Sequence, residues 1–364
     1  MNADTAMPTP RLPVALVMPV RNEGPAVEAG LASVVDSTRV PDEIVVADGR
    51  STDDTRARIA DFAARHPVPP VTVVDNPSIW VGGGRNRGIE ATAKPVILIC
   101  DFGNRLDPGW IEAMMRPFER DPTVELVAGV FRPWVSSDFE HCVACIHYYE
   151  DYILQSLAPD ERARLLPQDV MPGGMAIGCR RDLWARADGF PEWLRRGSDK
   201  MFGRKAVAMG VRTEVAWDAV VDHHMRATPG ALFRQLLHYG RGNGQMCYLS
   251  RHVLKLLLVY ATLVALGVVG LWWPPAWGAA AVGLLGYVAH QAWRKLWRIH
   301  RRGLRPWRWS YPPLAAAALV ARDVGSVLGH LWGWAEWAAR PKFRRLYTAY
   351  LRDCSPERLR VVAR

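Results

Sequence analysis

Charge is the first thing missing. From Leu256 to Trp293 there is no Asp, Glu, Lys or Arg, a gap of 38 residues. Acid then stays scarce: residues 251–364 hold 18 Lys+Arg against 4 Asp+Glu, whereas residues 1–250 hold 28 against 32. The overall charge of +10 therefore belongs wholly to the C-terminal part. Cysteine is sparse too. Six are scattered, apart from Cys142-Val-Ala-Cys145. One C-x-x-C without a second pair does not make a zinc site, and nothing asks for an oxidising compartment. Two buried thiols on a helix is the simpler reading. Met1 to Pro13 lacks an apolar core, so a frayed lead-in is expected rather than a signal peptide. There is no internal repeat and no low-complexity linker. G-x-G-x-x-G is absent after the first apolar run, where Pro19-Val-Arg-Asn-Glu23 stands instead. That sets aside a dinucleotide oxidoreductase.

What is present after residue 250 points to a membrane. Basic residues flank apolar stretches, and ten of the sixteen Trp lie beyond residue 270, as an interfacial belt requires. Anionic lipid headgroups are the expected partner, and no nucleic acid. A spanning helix needs about 20 apolar residues. The uncharged gap fits two spans, about 256–273 and 276–293, either side of Pro274-Pro275. Arg294–Arg308 carries seven basic residues and no acid, and is cytoplasmic by the positive-inside rule. Two crossings then leave the N-terminal domain cytosolic, on the inner (cytoplasmic) membrane. A third apolar segment, 311–337, contains Arg322, Asp323 and Glu336, costly in lipid unless paired. It reads as a third span, a re-entrant pair or an interfacial helix. The basic tail favours an even number of crossings, hence the last two. The expected division is a lead at 1–11, an α/β domain at 12–250, a membrane region at 251–339 and a basic cytoplasmic tail at 340–364.

From Leu12 to Cys100, short apolar runs alternate with helical segments. Val14–Met18, Glu43–Ala47, Val71–Val74 and Val96–Cys100 read as strands, and Ala26–Ser37, Asp53–His66 and Gly83–Thr92 as helices. Unbroken apolar runs separated by helices imply a parallel sheet covered on both faces. Ligands bind such sheets at the carboxyl ends of the strands, which directs attention to Arg21, Asn22, Glu23, Asp48, Asn76 and Asp101. Further on, Val124–Phe131, Met175–Cys179 and Val215–Val221 are candidate strands, and Asp199–Met209 and Gly230–Leu249 candidate helices. Gly82, Gly83 and Gly84 permit close backbone approach. They precede Arg85, Asn86 and Arg87 at an expected helix N-terminus, a place that favours anions.

Val17-Met-Pro-Val-Arg-Asn-Glu23, Val45-Val-Ala-Asp-Gly-Arg-Ser-Thr-Asp53 and Gly84-Arg-Asn-Arg-Gly-Ile89 are followed in order by Asp101, Gly197-Ser-Asp199 and Gln235-Leu-Leu-His-Tyr239. Over roughly residues 12–245 this order resembles the glycosyltransferases of family two with the GT-A fold. With the apolar tail, it looks like their membrane-bound exopolysaccharide (succinoglycan-type) branch. The resemblance implies an α/β, Rossmann-like nucleotide-sugar domain with a mostly parallel sheet, followed by transmembrane or interfacial helices. It implies inverting transfer from a nucleotide-diphosphate sugar to a lipid-linked or membrane-proximal acceptor. Donor contacts are expected from Pro19, Arg21, Glu23, Asp48, Gly84, Arg85, Asn86 and Asp101, with Asp48 at the base or ribose. Asp101 matches the first residue of a D-x-D motif whose carboxylates hold Mg²⁺ or Mn²⁺. Here it reads Asp101-Phe-Gly103, so the second carboxylate is gone. His223 and His224 stand where a late histidine completes the metal shell in many such enzymes. Asp199 is the expected general base, or a helix N-cap, or both; the Glu expected before it is Ser198. Gln235, His238 and Tyr239 line up with an element lying under the acceptor or leaving diphosphate, its Arg and Trp replaced. Arg204 is a further cation for that role. A degenerate, noncatalytic nucleotide- or glycan-binding subunit is the alternative, resting on the losses at Gly103, Ser198 and His238.

Overall fold

The computed structural model describes residues 11–154, 156–165, 173–248 and 250–354. Most of the expected lead, and the tail beyond 354, lie outside the described residues. In chain order the first elements are β1 (Val14–Val20), α1 (Ala26–Val35), β2 (Glu43–Asp48), α2 (Thr55–Arg65), β3 (Val71–Asp75), α3 (Val81–Glu90) and β4 (Val96–Ile99). Next come β5 (Asn104–Leu106), α4 (Trp110–Arg120), β6 (Val124–Trp134), α5 (Asp138–His147), α6 (Tyr149–Leu154) and α7 (Pro159–Arg162). They are followed by β7 (Ile177–Arg180), α8 (Arg181–Arg186), α9 (Ser198–Met209) and β8 (Arg212–His224). The chain closes with helices α10 (Pro229–Gln245), α11 (Ser250–Val269), α12 (Pro275–Arg301), α13 (Tyr311–Ala339) and α14 (Pro341–Tyr350).

The strands form one sheet of order β3-β2-β1-β4-β7-β6-β8-β5. β1 pairs in parallel with β2 and β4, and β2 with β3. At β7 the direction reverses: β7 is antiparallel to both β4 and β6, and β5 to β8. Every residue of β1 and β4 is buried, which is why their sequences are unbroken apolar runs rather than alternations. One core packs Leu16, Ile44 and Leu98 against α1, α2 and α4; the opposite core packs Val17, Val45 and Ile97 against Ile89, Leu183 and Phe202. The side chain of α3 residue Gly88 is missing for a packing reason. A Cβ there would drive into Val17 of β1.

The chain divides into two compact units. Of the described residues, the first comprises those up to 131, 163–223 and 353–354; the second comprises 132–162 and 224–352. In the second unit α10 and α13 lie against each other through glycine. Gly240 and Gly244 of α10 face Ser326, Gly329, His330 and Gly333 of α13. Gly325, Gly329 and Gly333 recur every four residues, a small-residue stripe that lets two helix backbones touch. Arg241 of α10 pairs with Glu336 of α13, and Gln245 donates to the same carboxylate. The charges of the third apolar segment are therefore partnered: Asp323 accepts from Arg322, Tyr260 and Tyr287.

Segment 311–337 is thus one unbroken helix, not a re-entrant pair. Among the described residues two helices are long and apolar enough to cross a membrane, α11 and α13. α12, which holds the expected span 276–293, is not among them. His290, Gln291 and the basic residues from Arg294 follow after only about four apolar turns.

Candidate active site

The first unit gathers its chemistry at the carboxyl ends of β1, β2 and β4. β2 ends in Asp48, whose buried carboxylate accepts from the Ser51 hydroxyl at 2.6 Å, the Ser51 amide at 3.2 Å and Arg56 at 3.1 Å. Arg56 also reaches Asp75 at the end of β3, at 2.6 Å. Asn22, in the loop after β1, is held from both sides: its amide donates to Ser51, and its side chain accepts from Thr52. Asn22, Arg50 and Ile79 all sit in the left-handed region, with φ of 53°, 59° and 59°. For a β-branched residue such as Ile79 that conformation is costly. Left-handed, strained loops at strand ends are where ligand sites concentrate.

Arg85 is the centre of the second cluster. It lies in the second turn of α3, not at its N-terminus, and is 1 % exposed. One guanidinium nitrogen donates to both oxygens of Asp101, at 2.9 and 3.0 Å. The other meets the Ser198 hydroxyl at 3.3 Å. Ser198 and Asp199 open α9 immediately after Gly197, whose φ of 83° turns the chain into the helix. Asp199 accepts from the Gly174 amide at 2.7 Å. A Cβ on Gly174 would overlap the Arg85 guanidinium and come within 2.9 Å of Asp101. Arg85 thus pairs with Asp101, and its charge also acts on Asp199, 98 positions further along the sequence.

The two carboxylates respond in opposite ways. Burial lifts Asp101 above the ordinary aspartate range, and Arg85 pulls it back only in part. A third of the Asp101 side chain still reaches solvent, which limits the shift. Burial works to raise Asp199 as well, but Arg85, Lys200 and the amides of Gly174 and Lys200 outweigh it and hold that carboxyl below the usual range. Asp199 is thus the carboxylate that holds its charge further into acid.

The other expected donor residues divide by what their side chains already do. Pro19 is in β1 and packs close to Gly84, whose absent Cβ would lie 3.0 Å from it. Gly82 and Gly83 are buried likewise, against Ser198 and Ser78. Gly84 admits α3 to the sheet, while Gly82 and Gly83 make room for Ser198 and for the 76–78 turn; close approach to a ligand had been expected of all three. Asn86 is fully committed. Its amide donates to the Phe190 carbonyl and Glu192 at 2.9 Å each, and accepts from the Phe190 amide and Trp184 at 2.8 and 3.0 Å. An amide has two donors and two acceptor lone pairs, so Asn86 fastens α3 to the 184–192 segment instead of being offered to a donor. Arg21 is exposed in the β1 loop.

The metal-binding expectation meets a mixed arrangement. Among the described residues no cluster of three or more His, Cys, Asp or Glu is assembled as a cage. His223 stands opposite Asn104 in the β8–β5 ladder, and its Nδ1 lies 2.7 Å from the Asn104 side-chain oxygen. Asn104 in turn donates to the Asp101 carbonyl. His224 points to the other face, as consecutive strand residues must, against Trp134 and Glu140. The two histidines do not act as a pair. At Gly103 the missing carboxylate has a neighbour: Glu23 Oε2 lies 3.6 Å from where a Cβ would stand. Asp101 and Glu23 thus flank Gly103 with hard oxygen donors, the type that Mg²⁺ and Mn²⁺ accept, with a diphosphate left to supply further oxygens.

Arg204 is buried in α9. Lys205, beside it, is spent on Asp188 at 2.6 Å. Gln235, His238 and Tyr239 belong to the second unit. There Gln235 donates to the hydroxyls of Tyr148 and Tyr239 at 3.2 Å and accepts from Arg226, while His238 is exposed. Arg56, Asp75 and Gly174 were not anticipated. The Gly173-Gly174 pair ahead of a candidate strand was the one available signal for the last of them.

A half-parallel sheet with Asp48 and Asp101 at the ends of its strands, and Arg85 of α3 buried beside them, is an arrangement of the GT-A type. Residues 15–184 match the model of glycosyl transferase family 2. The chain is 23 % identical over 230 residues to the O-antigen chain rhamnosyltransferase RfbN of Salmonella typhimurium, covering 62 % of this chain and 71 % of that protein. In fold it is similar to a mannosyltransferase of Pyrobaculum calidifontis solved in complex with GDP-Man and Mn²⁺. The TM-score is 0.51 and the identity 21 %, over 94 % of this chain and 86 % of that one.

Proposed function

We propose that this glycosyltransferase moves a sugar, with inversion, from a nucleotide-diphosphate donor to a lipid-linked acceptor in cell-surface polysaccharide synthesis, at the cytosolic face of the inner membrane. The observation that carries the chemistry is the buried cation: Arg85 is paired with Asp101 and bonded to Ser198, beside Asp199, on which its charge acts. A diphosphate entering beside Asp101 competes for that guanidinium, since arginine binds phosphate by the same paired geometry as carboxylate. Asp199 then loses its main stabilising charge and becomes the stronger base. It takes the acceptor hydroxyl proton as that oxygen attacks the anomeric carbon. Asp48, with Arg56 and Asp75, holds the base and ribose end. Asp101 and Glu23 would hold Mg²⁺ or Mn²⁺, whose chemistry there is to neutralise the leaving diphosphate.

The membrane placement rests on the second unit. Leu258, Val264, Trp272, Val282 and Leu285 of the α11–α12 hairpin are each more than 65 % exposed, an amount of open apolar surface that a water-facing protein rarely leaves. Trp272, Trp273 and Trp277 mark its tip, and Trp293 and Trp297 its base. At 1.5 Å per residue, Trp277 stands roughly 24–30 Å along α12 from that second pair, close to the thickness of a hydrocarbon core. O-antigen assembly is the setting of the rhamnosyltransferase relative. The deciding experiment is a panel of UDP-, GDP- and dTDP-sugars offered to the full chain in lipid nanodiscs. One donor should be bound and consumed; if none is, the reading fails.

A further inference from the structure

The second unit contains a polar cavity of about 190 Å³ at the base of α5, lined by Ser136, Ser137, Asp138, Arg305, Arg308 and Tyr311. It is remote in kind from the donor chemistry: no carboxylate of the first unit takes part in it. Its charges are unequal. Asp138 is fully engaged, one oxygen on Arg308 at 2.8 Å and the other on the Ser310 hydroxyl at 2.6 Å. Those contacts, led by Ser310, keep its carboxyl below the ordinary range, so it is ionised. Arg305 has no such partner. Its main-chain carbonyl meets His300, but among the described residues no side chain accepts a hydrogen bond from its guanidinium or forms an ion pair with it. The lining therefore carries one positive charge more than it neutralises. His141, behind Tyr311, registers the excess. Its ring lies 4.7 Å from that of Tyr311, and its pKa is pushed down to about 4 by burial and then by Arg305. The first amides of α5 add a partial positive charge, although Ser137 already caps the Glu140 amide.

The surroundings say where such an anion would come from. Trp307, in the same loop as Arg305 and Arg308, has its ring 5.1 Å from Trp293, 6.1 Å from Trp309 and 6.3 Å from the pocket residue Tyr311. Clustered tryptophans and arginines at the end of an apolar hairpin mark headgroup depth. We propose that this cavity binds the phosphate or diphosphate head of the lipid carrier that presents the acceptor, with Arg305 as the principal contact and Arg308 as the second. The proposal rests on the lipid-linked acceptor reading above and deepens it. An arginine pair on a phosphate is the strong, two-pronged kind of contact.

The test measures equilibrium binding to the full chain in neutral detergent, using farnesyl diphosphate, inorganic pyrophosphate and farnesol as probes. Farnesyl diphosphate should bind, pyrophosphate should compete more weakly, and farnesol should not bind. Arg305→Gln should weaken farnesyl diphosphate at least tenfold while leaving nucleotide-sugar binding unchanged. Asp138→Asn should act in the opposite sense, tightening it several-fold, because it removes the negative charge and frees Arg308 while keeping the hydrogen bond to Ser310. Loss of packing cannot produce a gain, so that second variant separates the site from general damage. The proposal is overturned if Arg305→Gln binds as wild type or if Asp138→Asn weakens binding. It is also overturned if pyrophosphate binds as tightly as the prenyl compound, which would make this a free-phosphate site. Should the probes bind as expected while the enzyme glycosylates only water-soluble acceptors, the pocket stands and the lipid-linked acceptor reading falls.

Discussion

Arg85 gives one nitrogen to both oxygens of Asp101 and turns the other toward Ser198, so that a single guanidinium ties the end of β4 to the start of α9. The tie has a cost if broken. Arg85→Met leaves Asp101 without its ion-pair partner and in the field of Asp199. Removing one partner of a buried pair typically costs roughly 3–5 kcal/mol, and the partial exposure of Asp101 puts this case at the lower end. For a domain of this size the melting midpoint should fall by roughly 6–12 °C. Adding Asp101→Asn to the variant should recover part of the loss. A second substitution that makes matters worse would contradict this pairing.

Asp101 should give the site its acid limb. Its carboxyl is raised, so it takes up a proton at a higher pH than an ordinary aspartate near 3.9. The sign for stability follows from linkage: the folded state binds that proton more tightly than the unfolded, so this group's contribution is lost as pH rises through its folded value. For ligand binding the sign reverses, because only the ionised form can hold a cation. Mn²⁺-supported nucleotide binding should therefore begin to weaken, as pH falls, at a higher pH than an ordinary aspartate would set, and Asp101→Asn should bind weakly with no such dependence. A variant that keeps the wild-type pH profile would assign the limb to another group.

Asn86→Ala should behave as a stability variant rather than a binding one. Four hydrogen bonds at about 1 kcal/mol each, some replaced by water, suggest a loss of roughly 2–4 kcal/mol. Donor affinity in the folded protein should change by less than threefold, as titration calorimetry can show. A tenfold loss of donor affinity at unchanged stability would return Asn86 to the donor contacts.

Gly329→Val tests the helix pair in the second unit. A Cβ at Gly329 would collide with the Leu237 carbonyl and lie 2.9 Å from the Arg241 amide. Overpacking against backbone costs on the order of 1–3 kcal/mol, and α10 should become cleavable in limited proteolysis of the nanodisc-bound protein. Gly278→Val, where nothing lies within 4 Å, should be silent. Equal protease resistance in both variants would exclude the stripe as the cause of the packing.

Much of the parallel half was legible because burial on both faces leaves an unbroken apolar run. Val14–Val20, Glu43–Asp48, Val71–Asp75 and Val96–Ile99 each begin where the sequence suggests. β5 was not legible, since Asn104-Arg-Leu106 carries no run at all and exists through its pairing with β8. The reversal at β7 was equally hidden: strand direction depends on where the chain returns, which local pattern does not encode. In the site, Asp48, Asp101 and Asp199 stood out by motif, but their relation did not. Nothing local to residue 101 or 199 says that Arg85 pairs with the first and acts by its charge on the second. Asn86, a motif asparagine beside a motif arginine, reads as a ligand contact, and only the 184–192 segment reveals what its side chain already holds. The glycines of α10 and α13 were readable as a four-residue repeat, yet charge at 322, 323 and 336 drew attention to the segment's polarity instead.

The most direct test of the account is the Asp199→Asn variant, assayed for sugar transfer and for nucleotide binding in the same nanodisc preparation. Asparagine keeps the shape and can still accept from Gly174, but it cannot take a proton. Transfer at saturating donor should fall by roughly 10²–10⁴-fold, with nucleotide affinity within a few-fold of wild type. Transfer at a near-normal rate by this variant would contradict the assignment of Asp199 as the base on which the proposed chemistry depends.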